Sequence, residues 1–211
     1  MLALAVHEWQ LRSDNPCTGI RRFPEKRRER FFSDDELTQI GSALARAERD
    51  KTELPGFVLL IRVLATTGLR LGEALALRWS DVDLPGRALR LADAKAGART
   101  VHLGAAAVVI LDAEKNRAGH VFYHLDTDEP LTASVVHKAW TRLGKASGVS
   151  GRLHDLRHTA GTFAAMTGAN AFAVRDLLGH RTLAMTGRYV ERSPDGCGRP
   201  RTRCRAAWRR R

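Results

Sequence analysis

The chain reads as a mainly α-helical domain with one small antiparallel β-sheet, an α+β fold. Three observations predict it. A helix start is written at Ser33-Asp34-Asp35-Glu36, where serine and glutamate three apart can cap each other's backbone amides. Apolar segments too crowded or too regular for loops recur from Leu54 to Val190. Between them lies one short stretch of alternating residues, Leu89-Arg90-Leu91 and Thr100-Val101-His102-Leu103, flanking Ala94-Lys95-Ala96-Gly97-Ala98 as a hairpin.

In chain order, residues 1 to 12 read as the tail of a helix that Asp14-Asn15-Pro16 breaks. A charged linker follows, with Arg21, Arg22, Lys26, Arg27 and Arg28 as candidate phosphate contacts; the plainer reading is a solvated connector. From the capping box a helix should run to about Arg49. A second, buried one should cover Leu54 to Thr66, because Phe57, Leu59, Leu60, Ile61, Val63 and Leu64 leave no polar face. Gly68 ends it, and Leu71 to Leu77 form a third helix whose first turn presents Arg70. Leu84-Pro85-Gly86 is a turn ahead of the hairpin. Helices resume at Ala105 to Asn116, Thr132 to Lys145, His154 to Met166, Ala171 to Leu178 and Leu183 to Val190.

The 211 residues are enough for one well-buried domain with some flanking material. Lysine and arginine outnumber aspartate and glutamate 35 to 23, a net charge of +12 that suits a polyanion, nucleic acid above all. Half of that excess lies in Glu191 to Arg211, where eight arginines face two acids. Cys17, Cys197 and Cys204 form no C-x-x-C pair and are too few for a disulfide scaffold, which fits a reducing compartment. No apolar run reaches the length of a membrane span, so the expected location is cytoplasmic.

The chemistry-bearing residues cluster late in the chain. His154-Asp155-Leu156-Arg157-His158 is followed by Leu178-Gly179-His180 and then by Tyr189; upstream, Thr67-Gly68-Leu69-Arg70-Leu71-Gly72-Glu73 supplies a second arginine. Two planar guanidinium forks suit the oxygens of a phosphate. Histidines handle protons, and a tyrosine offers an oxygen nucleophile. Each piece has a plainer reading. Arg70 could pair with Glu73 on a helix surface, Lys95 could be a solubilising turn lysine, His180 a helix C-cap and Tyr189 a core aromatic. His154 and His158 also match the zinc spacing H-E-x-x-H with aspartate at the glutamate position, though no third ligand is evident and a zinc hydrolase leaves Arg70, Lys95 and Tyr189 unexplained.

The ordered set Arg, Lys, His-x-x-Arg, His, Tyr resembles the tyrosine recombinase (phage integrase) family over roughly Phe31 to Val190. Ala65 to Glu73 with Leu77-Arg78-Trp79-Ser80-Asp81-Val82-Asp83 is similar to its first box, Leu153 to Thr159 to its second, and Leu178 to Val190 to its third. The resemblance implies a catalytic domain at 31–192, preceded by a remnant of a core-binding-domain helix and a basic linker at 1–30. It implies cleavage and rejoining of double-stranded DNA through a 3′-phosphotyrosine, without a metal or other cofactor. It makes Tyr189 the nucleophile, Arg70, Arg157 and His180 the phosphate clamp, Lys95 the general acid, His154 the base or orienter of the tyrosine, and Glu73 a buried acid that orients Arg70. Type IB topoisomerases resemble the same chemistry, so relaxation without strand exchange stays open.

Two departures from the family pattern bear on that expectation. Only the last helix of a core-binding domain fits before Pro16. From Ser193 the chain turns rich in Arg, Gly, Pro, Cys and Trp without apolar periodicity, as a frameshift near 193 would produce; a genuine basic DNA-binding tail is the other reading. The 193–211 tail is therefore expected to be disordered. The chain is expected to be a monomer alone, whereas the intact family assembles as tetramers on DNA. A catalytically impaired, DNA-binding integrase remnant is the alternative function.

Overall fold

The computed structural model describes residues 2–20, 23, 30–92, 97–114, 118–124 and 129–190. Lys95, the five linker cations Arg21, Arg22, Lys26, Arg27 and Arg28, and the tail from Glu191 onward lie outside the described residues. The first helix, α1 (Leu2–His7), stops well short of residue 12. It buries none of its residues, and Gln10 adopts a positive φ of 49° just beyond it. With Leu4, Trp9 and Leu11 exposed, the segment has little apolar burial to prolong it.

The capping box forms as the sequence predicts. Ser33 Oγ accepts from the Glu36 amide at 3.2 Å, and the Glu36 carboxylate accepts from the Ser33 amide at 3.0 Å, starting α2 (Asp34–Arg49). Pro55 then opens α3 (Pro55–Thr67), its missing N–H costing nothing in the first turn. Residues Gly56 to Leu64 of α3 are buried without a break, so it is the central helix. Its one charge, Arg62, is held by two bonds to Glu48 at 2.7 and 3.0 Å.

Gly68, at φ 67°, ends α3 in the left-handed conformation. The next helix, α4 (Leu71–Leu75), is a single turn, two residues shorter than expected. A 3₁₀ turn (Trp79–Asp81) leads into the sheet, whose strands β1 (Val82–Asp83), β2 (Ala88–Leu91) and β3 (Arg99–His102) pair antiparallel in that order. The register puts Leu91 opposite Arg99 and Ala88 opposite His102. The hairpin was expected; β1, at two residues, is too short to show alternation.

Four helices complete the frame. They are α5 (Ala105–Asp112), shorter than the expected Ala105 to Asn116, α6 (Ala133–Ser147), capped by Thr132, α7 (Leu153–Met166) and α8 (Ala171–Leu178), capped by Asn170. A helix was expected over Leu183 to Val190. The structure breaks it into a 3₁₀ turn (Leu183–Met185) and the single turn α9 (Gly187–Val190), with Gly187 lying where helix propensity is poor.

One large apolar core joins α2, α3, α5, α6, the sheet and the start of α7, with Phe32, Phe57 and Phe122 wholly buried. Phe32 packs edge-on against Trp140, and its amide donates to Thr159 Oγ1 at 2.9 Å, tying the entry segment to α7. A second, separate cluster contains Ala165, Val174, Leu178 and Tyr189. No helix among the described residues is long and apolar enough to cross a membrane.

Candidate active site

The site is built around the C-terminal turn of α8. Four consecutive backbone carbonyls there accept from three arginines that come from distant parts of the chain. Arg99 Nη1 reaches Asp176 O and Leu177 O at 3.3 and 3.4 Å, Arg157 Nη2 donates to Leu178 O, and Arg70 Nη2 donates to Gly179 O at 3.0 Å. A helix C-terminus is the negative end of its dipole, with carbonyls lacking helical partners, so it gathers cations. Gly179 carries the left-handed φ of 60° that ends α8, and an added Cβ would fall 2.5 Å from Arg99 Cζ. Glycine suits the left-handed turn, and its missing Cβ leaves room for the guanidinium lying on it.

Arg70 caps the start of α4 rather than sitting in its first turn. Its amide donates to Glu73 Oε2 at 2.9 Å and its Nη1 to Glu73 Oε1 at 2.7 Å. Glu73 also receives Arg99 Nη2 at 2.9 Å. Burial by itself would raise the Glu73 carboxyl, but the Arg70 amide and guanidinium, joined by Arg99, outweigh it and hold the group below its ordinary 4.5. Glu73 therefore stays charged and fixes two arginines at once.

Arg157 is the most deeply placed of the three, at 4% exposure. Its Nη1 donates to Gly68 O at 2.7 Å, so one guanidinium bridges the end of α3 and the end of α8. Burial first, then the positive charges of Arg70 and Arg99, pull its pKa down to about 10 against the opposing pull of Glu73 and Tyr189. It remains a cation at neutral pH. Three guanidiniums against one carboxylate leave two uncompensated positive charges in a largely desolvated place, a setting made for an anion such as a phosphodiester.

The tyrosine faces this cluster from α9. Tyr189 is 3% exposed, and its Oη lies 2.7 Å from His158 Nδ1. The His180 ring stacks on the Tyr189 ring at 6.0 Å and 21°, and His180 Nδ1 lies 3.0 Å from Thr186 Oγ1. His154, one turn before His158, is exposed and meets it edge to face at 4.7 Å. Asp155 is turned inward instead, its carboxylate accepting the Arg152 amide at 2.8 Å and capping α7. The residue at the glutamate position of the zinc-like spacing is therefore committed to a helix start. Among the described residues no three His, Cys, Asp or Glu side chains are placed to hold a metal.

The structure thus brings Arg70, Glu73 and Arg157 together, and Tyr189 with His180 and His158. The sequence patterns single out no role for Arg99, although it shares Glu73 with Arg70. The alternation of Arg99-Thr100-Val101-His102 in the sequence places it on a strand, and the strand register sets it opposite Leu91. A groove of about 780 Å³ continues outward from the site between β3 and α8, with Arg99, His102, Arg175, His180 and Arg181 on its walls.

Comparison with known proteins agrees with this geometry. The model of the phage integrase family matches residues 30–195. The tyrosine recombinase XerA of Saccharolobus solfataricus is 31% identical over 170 residues, 79% of this chain and 54% of that protein. The integrase of Haemophilus phage HP1 is 28% identical over 191 residues, 90% of this chain and 51% of its own length. The chain therefore spans about half the length of these curated relatives. Among solved structures, a XerA recombinase superposes with a TM-score of 0.65 at 25% identity, covering 80% of this chain and 61% of that one. A lambda integrase dimer bound to a COC′ core site gives a TM-score of 0.68 at 24% identity, covering 88% and 69%, and shows the shared fold. With the family model covering the whole of the arginine, histidine and tyrosine cluster, the chain belongs to the phage integrase family of tyrosine recombinases.

Proposed function

We propose that this chain cuts and rejoins double-stranded DNA through a 3′-phosphotyrosyl link at Tyr189. The observation that carries the reading is a tyrosine hydroxyl hydrogen-bonded to His158 and close enough to Arg157 to act on its charge, beside an arginine cluster bearing excess positive charge. Tyr189 Oη attacks phosphorus in line, and the bond to the 5′ oxygen breaks on the opposite side. Arg70, Arg157 and His180 stabilise the charge that builds on the non-bridging oxygens, a preorganised electrostatic contribution that is usually the largest in such a site. Glu73 holds Arg70 in place. The 5′ oxygen leaves with a proton from Lys95, an ammonium better able to give one up than the neighbouring Arg99. Bond energy kept in the phosphotyrosine lets a 5′ hydroxyl reverse the step.

Several features support the domain reading that goes with this. The family match begins at residue 30, close to the proposed start of a catalytic domain at 31. The solved relatives include integrases bound to DNA. The basic linker and the Arg-rich tail we assign to sequence-independent phosphate contact.

The test is a nicked duplex that traps covalent protein–DNA adduct, run in EDTA. Adduct should form with the unsubstituted chain and vanish in Tyr189→Phe. A requirement for zinc, or adduct surviving loss of Tyr189, would overturn the reading.

A further inference from the structure

A phenol attacking phosphorus must shed its proton as the new bond forms, and the structure puts a proton acceptor on that oxygen. Tyr189 Oη lies 2.7 Å from His158 Nδ1, within the reach a general base needs. Both rings are held from several sides. The His158 ring meets His154 edge to face at 4.7 Å and 88°. The Tyr189 ring lies against His180 and against Gly161, where an added Cβ would come within 3.0 Å of Cε1. His158 also follows Arg157 directly on α7, so the residue that grips the phosphate and the residue on the nucleophile move as one rigid unit. The titratable and charged groups facing the pair are His154 from the same helix, His180 against the tyrosine ring, and Arg157, whose charge is coupled to Tyr189.

We propose that His158 is a catalytic residue, the general base that takes the Tyr189 proton; the assignment rests on the strand-transfer reading above. A neutral imidazole carrying its hydrogen on Nε2 presents the Nδ1 lone pair to the phenol. As the Oη–P bond forms, the phenolic proton passes to Nδ1 and His158 becomes an imidazolium. The P–O5′ bond breaks, its electron pair stays on the 5′ oxygen, and that oxygen takes its proton from Lys95. In rejoining, the imidazolium returns the proton to Tyr189 as the phenolate leaves. His154 packs against His158 and positions its ring.

Two measurements test this. The first needs no DNA: nitrogen NMR of the folded chain should show His158 as the Nε2–H tautomer, with an Nδ1 resonance that shifts in Tyr189→Phe. The chain has only two tyrosines, so a Tyr189→Phe spectrum also identifies the partner phenol without ambiguity. A hydrogen resident on Nδ1 would overturn the assignment. The second is the pH dependence of adduct formation on the nicked duplex. His158→Ala should slow it by about 10²–10⁴-fold at unchanged DNA affinity, erase the acidic limb of the profile, and recover in part with added imidazole. His158→Asn, which keeps an acceptor near the phenol but cannot carry the proton, should be as slow as the alanine variant. Wild-type rate or an unaltered acidic limb in either variant would overturn the base assignment and leave strand transfer standing. No adduct from the unsubstituted chain would overturn the strand-transfer reading and the base assignment with it.

Discussion

The molecule has two apolar regions built to different ends. The large core buries thirty-two described residues around α3, all of them aliphatic or aromatic, and the buried cation of α3, Arg62, is matched by a carboxylate. The smaller cluster contains four residues, one of them Tyr189, and is ringed by His158, His180 and Arg157. The first region pairs its buried cation with a carboxylate and is a scaffold, with Trp79 Nε1 at its edge left without a partner among the described residues. The second holds an excess of cations on backbone carbonyls and keeps a tyrosine hydroxyl on a histidine. What the comparison teaches is that apolar packing and the arginine, histidine and tyrosine cluster occupy different parts of the fold. α7 links the two, its N-terminal half packed in the main core and Ala165 in the small one.

Arg157 tests that separation most severely. Arg157→Ala removes the buried cation that bridges Gly68 O and Leu178 O, and with it part of the proposed phosphate clamp. Adduct formation on a nicked duplex should fall at least about 10³-fold, in the range seen when a preorganised donor to a developing oxyanion is lost. Arg157→Lys should not restore it, since an ammonium cannot bridge both carbonyls and a phosphate with planar geometry. A fully active lysine variant would mean that charge alone, and not the fork, is what the site uses.

Phe57→Ala provides the converse. Phe57 is wholly buried in α3 and lies in the main core rather than the small cluster that holds Tyr189, and the cavity should cost about 3–5 kcal/mol of global stability. Urea denaturation should show that loss, whereas the variant that remains folded should cleave at close to the original rate. Equal losses of stability and rate across a series of such core variants would show that the two regions are not separable.

Glu73 sharpens the boundary through pH. Its folded pKa is lowered, so unfolding takes up a proton in the acid range and the carboxylate contributes stability above its ordinary 4.5. That contribution is lost as pH falls from near 4.5 through the lower folded value. Glu73→Gln should therefore destabilise at neutral pH, by about 1–3 kcal/mol given a buried acceptor serving two arginines. It should converge on the original protein once the medium is acidic enough to protonate Glu73. A difference that persists unchanged into strong acid would assign the effect to packing rather than to the charge.

How much of this could be read from residues alone follows from sequence separation. The capping box at Ser33, the unbroken apolar run of α3 and the left-handed glycine after it are local signals, and each element forms close to where it is expected. The split of Leu183 to Val190 was missed because a glycine in a short amphipathic stretch weighs little until packing decides. In the site, the family resemblance names Arg70, Glu73, Arg157, His180 and Tyr189, and the structure brings Arg70, Glu73 and Arg157 together and Tyr189 beside His180. Arg99 was not legible, because its partners Glu73 and Asp176 are 26 and 77 residues away. His158 was seen only as half of a zinc-like spacing, since Tyr189 reaches it from 31 residues downstream. Long-range carbonyl acceptors carry no sequence signature at all.

The smallest effect expected lies at the outer edge of the small region, where the groove between β3 and α8 carries Arg175 and Arg181. Both are candidates for backbone contacts beside the scissile phosphate, but they differ in what they would release on binding. Arg175 is already held by Asp176, with Nη2 at 2.7 Å and Nε at 2.8 Å from the carboxylate. A cation neutralised in advance displaces fewer condensed counterions when DNA arrives. Arg181 is exposed on the turn after His180, and no salt bridge to it is recorded among the described residues. Arg181→Ala should weaken binding about equally for all sequences and reduce the slope of log affinity against log salt by about 1. Arg175→Ala should change that slope by less, and Asp176→Asn should increase binding by freeing Arg175. Both arginine variants leave Tyr189 and its histidines untouched, so single-turnover cleavage at saturating DNA should be unaltered. If instead Arg175→Ala gave the larger salt effect, the Arg175–Asp176 pair would have to open on DNA, and the groove would be reading phosphates through a rearrangement of α8 rather than through its resting surface.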